Sequence, residues 1–77
     1  MTRASAETMD EFERNDRVLL NRDRMMPYAG SWVAVAGGDP VSFGTDIRTM
    51  VSELSRAGYN LSTTAVRYIG EGGNAQA

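Results

Sequence analysis

Seventy-seven residues set the size of one small domain. Ten acids and eight bases give a formal net charge of −2, and the chain contains no Cys, His or Lys, so every base is an Arg. These absences exclude disulfides, Cys- or His-ligated zinc, thiol nucleophiles, imidazole acid–base chemistry and Schiff-base lysines.

A domain this short hides roughly 60–65% of the surface its unfolded chain exposes. Its single core supplies a margin of about 3–5 kcal/mol. With disulfides and zinc excluded, association is the remaining way to reinforce it. The content of 42% hydrophobic and 23% charged residues is that of a globular protein. No apolar run approaches the length of a membrane span, and Met1 to Glu13 is acidic without a signal-type stretch, so the expected setting is cytoplasmic.

In chain order, residues 1–7 are small and polar and are expected to fray. The segment Thr8 to Glu11 has capping-box spacing, and a helix is predicted over 8–26. Phe12, Val18, Leu19, Met25 and Met26 fall on one side of a 3.6-residue wheel, and Arg14, Arg17, Asn21 and Arg24 on the other. Arg22 falls within the apolar side, and Asn15-Asp16 is a point where the helix is open to interruption. Pro27 ends it. Ser31 to Ala36 reads as a strand with Trp32, Ala34 and Ala36 on one face and Val33 and Val35 on the other. Gly37-Gly38-Asp39 is turn chemistry, and Pro40 to Gly44 is the return strand, with Val41 and Phe43 expected on one face. Thr45 or Asp46 caps a second helix carrying Ile47, Met50, Val51 and Leu54 as an apolar stripe, closed by Gly58 as a left-handed C′ residue. Thr63 to Ile69 is β-rich and reads as the last strand, and 70–77 as a disordered tail.

The order helix, hairpin, helix, strand predicts an α+β fold. An N-terminal helix precedes a ββαβ domain over 28–69, a three-stranded antiparallel sheet in order 2-1-3 covered by one helix. The N-terminal helix is free to cover an edge or the other face.

The text Tyr28-Ala-Gly-Ser-Trp32-Val-Ala-Val, then Gly38, Val41-Ser-Phe-Gly44 and Thr45-Asp-Ile47 resembles a prokaryotic family known as domain of unknown function 5678, over about residues 28–58. Ser31 stands where that family carries a basic residue, and Pro40 interrupts the return strand. The resemblance implies a hairpin leading into a helix and carries no activity with it.

Trp32, the single tryptophan, is either core against Ile47, Met50 and Leu54 or a binding hot spot. Met25, Met26 and Met50 at helical spacing read first as core and second as an adaptable protein-binding surface. Gly37-Gly38 lacks the Lys and the following helix of a phosphate loop. Asp39 and Asp46 have nothing to set them at a catalytic separation, and Thr2 lacks a scaffold as an N-terminal nucleophile. A monomer this short is not expected to enclose a ligand pocket of the usual ~300 Å³ or more. The expectation is therefore a non-catalytic protein-interaction module without cofactor or metal. Its partner is itself, as a homodimer or larger, or another protein, and its candidate surface is Arg14, Arg17, Arg22, Arg24, Met25, Met26 and Trp32. The alternative is a nucleic-acid-associated regulator using the Arg-bearing N-terminal helix, which the interleaved Glu13, Asp16 and Asp23 disfavour.

Overall fold

A computed structural model describes the backbone of residues 2–76 and the side chains of residues 10–76. Its elements are α1 (Thr2–Leu19), α2 (Arg22–Met25), a 3-10 turn (Met26–Tyr28), β1 (Ser31–Ala36), β2 (Asp39–Gly44), α3 (Ile47–Arg56), β3 (Ala65–Ile69) and a 3-10 turn (Glu71–Gly73). The sheet is antiparallel throughout, in order β2-β1-β3.

Both faces of this sheet are covered, α3 on one and the N-terminal helices on the other, the second of the two placements open to the N-terminal helix. Val33, Ala34 and Val35 in the central strand are all fully buried. Strand alternation sends Val33 and Val35 to one side, where they pack with Leu19, Met25, Ala65 and Ile69, and with the half-buried Val18 and Tyr28. Ala34 points the other way, into a smaller cluster with Met50 and Leu54 of α3, flanked by Trp32, Val41 and Val66. An unbroken apolar run in a central strand has this double burial as its physical meaning.

The N-terminal helix differs from its prediction at both ends. It starts at Thr2 rather than Thr8, in a segment whose Ala4, Ala6 and Glu7 are good helix formers. It stops at Leu19, where the Leu20 N–H is shared between the Asp16 and Arg17 carbonyls, and Asn21 then caps the separate α2 through the Arg24 N–H. Asn15 does not interrupt it. The re-aimed α2 buries Met25 completely and leaves Met26 exposed, so the two methionines do not share a face.

The hairpin turns through Gly37 and Gly38, both at positive φ (62° and 83°), the pairing that a two-residue type I′ turn requires. A register shift opposite Ala34/Val35 bulges β2 at Val41. It parts the two residues expected on one face: Val41 joins the α3 cluster, while Phe43 faces Val33 on the α1 side and meets the Tyr28 ring at 5.2 Å. Helix α3 is built as its sequence predicts. Asp46 caps it by accepting from the Arg48 and Thr49 N–H groups, and Gly58 at φ 88° closes it with the Tyr59 N–H on the Leu54 carbonyl.

The C-terminal segment is not a disordered tail. Residues 70–76 form a strap that folds back on β3 through an Ile69–Ala75 bridge, the Gly70 N–H on the Asn74 carbonyl (2.8 Å) and the Gln76 N–H on the Tyr68 carbonyl (2.8 Å). Buried Gly73 makes this possible. A Cβ there would run into the Arg22 carbonyl and the Met26 nitrogen, so its small size serves close approach to α2.

Candidate functional site

The outer edge of β3 turns backbone groups away from the sheet beside a groove. The Ile69 carbonyl accepts from the Gly30 N–H (2.7 Å) and faces β1, whereas the Tyr68 carbonyl faces outward to the strap. Antiparallel alternation therefore turns both backbone groups of Val66 outward as well. No strand lies beyond them among the described residues. A groove of about 310 Å³ runs along this edge, lined by Phe12, Asp16, Trp32, Val66, Arg67, Tyr68 and Gln76.

Each wall has a structural cause. On the α3 side, Trp32 lies opposite Tyr68 across the strand pair, and their rings meet edge to face at 5.5 Å. Both are half-buried, because the ten-residue α3 is centred on Ala34, Met50 and Leu54. On the α1 side, Phe12 is 41% exposed one helical turn before Asp16. Arg67 grips Asp16 with two prongs (2.6 and 2.9 Å) and donates to the Gln76 carbonyl (3.0 Å), closing the groove at the strap. The Arg67 hydrogen bond holds the Asp16 carboxyl below the usual carboxylate range and raises Arg67 in turn.

A second cleft of about 360 Å³ lies between α1 and the hairpin turn, lined by Glu11, Arg14, Asn15, Gly37 and Gly38. Both spaces reach the volume expected to exceed this chain, as open grooves between elements. Asn15, only 4% exposed, forms the floor of this cleft. Its Nδ2 donates to the Thr63 carbonyl (2.7 Å) and its Oδ1 accepts from the Gly38 N–H (2.9 Å), so one side chain ties α1 to two loops.

The arginines expected to form one stripe are dispersed. Arg14 lines the hairpin cleft, Arg17 is exposed in the last turn of α1, and Arg22 lies against the strap at Gly72 and Gly73. Arg24 reaches Asp39 at 3.7 Å, both solvent-exposed. Of the candidate surface, Met25 is core, Met26 is exposed on α2, and Trp32 alone belongs to the β3 groove. Sequence reasoning missed Phe12, Asp16, Val66, Arg67, Tyr68 and Gln76 as a group. The alternation of Val66 and Tyr68 against Ala65, Arg67 and Ile69 was the available signal.

Among the described residues, no group of three or more acidic side chains is placed to hold a metal ion, and no helix is long and apolar enough to cross a membrane. Fold and groove define a small α+β domain with an open strand edge. No family model matches the chain, and no curated protein or solved structure matches it significantly.

Proposed function

We propose that this chain is a small, non-catalytic protein-interaction module that associates with copies of itself. The outer edge of β3 carries this reading: outward-facing backbone groups lie beside an aromatic groove, the combination that strand-addition interfaces use. Two of the acidic side chains have structural work: Asp16 holds Arg67 of β3 and Asp46 caps α3. The proposal includes a cytoplasmic setting, which fractionation of the host cell tests.

Light scattering on the full chain from micromolar to millimolar concentration tests the reading. A mass rising from one protomer toward two supports it, and a constant monomer mass over the whole range rejects it.

A further inference from the structure

We propose that residues 21–26 form a lid over one end of the larger core cluster, that the C-terminal strap is its latch, and that the two open together while the sheet and α3 stay closed. The lid is a short arch between two anchored points. Before it, Leu19 is fully buried, and after it the Tyr28 ring rests against Phe43 at 5.2 Å. Its backbone hydrogen bonds are local. The Asn21 N–H reaches the Val18 carbonyl (3.2 Å), the Met25 N–H the Asn21 carbonyl (3.1 Å) and the Met26 N–H the Arg22 carbonyl. None of these ties the arch to a strand. Asn21, Arg22, Asp23, Arg24 and Met26 are exposed, and Met25 alone is buried. One flexible, unbranched side chain therefore seats the arch in the core.

The latch is Gly73. It is buried against the hydrogen bond that closes α2, since a Cβ on it would meet both the Arg22 carbonyl and the Met26 nitrogen. The rest of the strap is fastened to the sheet. Half-buried Ala75 packs against the same cluster as Met25. The Gln76 N–H donates to the Tyr68 carbonyl (2.8 Å), and its carbonyl accepts from Arg67 Nη1 (3.0 Å). The arch's link to the hairpin, Arg24 to Asp39 at 3.7 Å, is solvent-exposed and weak.

Losing the strap thus leaves Met25 as the arch's one buried hold. A segment with few buried contacts and only local hydrogen bonds opens without unfolding the rest of the domain. Opening withdraws Met25 from the cluster and frees the Tyr68 carbonyl at the end of the β3 groove. The lid therefore couples the core to the candidate site, whatever the β3 edge binds.

A brief pulse of hydrogen peroxide on the full chain, read residue by residue by tandem mass spectrometry, tests this with methionines already in place. Met26, 56% exposed, reports an open site, Met25 (0%) the lid, and Met50 (2%), in the α3 cluster, the rest of the fold. In the parent, Met25 is expected to oxidise slower than Met26 by about tenfold or more. Gly73→Ala unseats the latch and is expected to bring Met25 within about threefold of Met26, with Met50 unchanged. Gln76→Pro removes the strap's N–H to Tyr68 and is expected to speed Met25 by about threefold to tenfold, the scale of one backbone hydrogen bond. If circular dichroism shows Gly73→Ala unfolded, Gln76→Pro decides. Met25 as slow in the folded variants as in the parent overturns the latch. Met25 and Met50 speeding up together in a folded variant overturns the lid as a separate unit.

Discussion

Asp16 and Arg67, 51 positions apart, join α1 to β3 by a two-pronged ion pair, Nε to Oδ1 at 2.6 Å and Nη2 to Oδ2 at 2.9 Å. Both side chains are largely shielded from solvent, so the pair is worth more than the fraction of a kcal/mol typical of an exposed one. Arg67→Met is expected to cost about 1–2 kcal/mol in a urea melt. It also frees the Gln76 carbonyl, so hydrogen exchange in the strap should quicken more than in α3.

Acid should act through the same pair. Asp16 has a folded-state pKa below its unfolded value, so its contribution is complete above the unfolded pKa and is lost as pH falls through the lower folded one. Asp46 has the same sign at the start of α3. Stability is expected to be flat from neutrality down to about pH 5 and to fall below about pH 4. Asp16→Asn should flatten that acid limb while lowering the neutral plateau, as followed by chemical denaturation at several pH values.

Asn15 is the second long-range tie. Asn15→Ala strands the Gly38 N–H and the Thr63 carbonyl beside a buried site and is expected to cost about 2–3 kcal/mol. Thermal unfolding measures it. A change within a few tenths of a kcal/mol would show that water replaces both bonds without loss.

Gly73→Ala tests the strap as structure. The added methyl meets the Arg22 carbonyl and the Met26 nitrogen, and φ of 80° is strained for any L side chain. The strap is expected to detach, which limited proteolysis would read as faster cleavage after residue 70 with β1 and α3 still protected.

What the sequence shows of this fold is what neighbouring residues enforce. The Gly37-Gly38 turn, the Asp46 cap, the Gly58 stop and the α3 stripe are local and are legible, and sheet order follows from chain connectivity. The site is long-range and mostly is not. Nothing near Asp16 announces Arg67, and Asn15 looks like a helix breaker until Gly38 and Thr63 are brought to it. The glycines of 70–73 suggest disorder, yet one of them is where the strap packs closest to α2. Trp32 is the one groove residue legible beforehand, as a large aromatic in a strand.

The most direct test is hydrogen exchange at the Val66 amide, followed by NMR as the protein is concentrated. The account predicts that this amide exchanges freely in dilute protein and gains protection with concentration, while the Arg67 and Ile69 amides, bonded to β1, are protected throughout. A Val66 amide that exchanges freely at every concentration, in samples that scatter light as dimers, would contradict it.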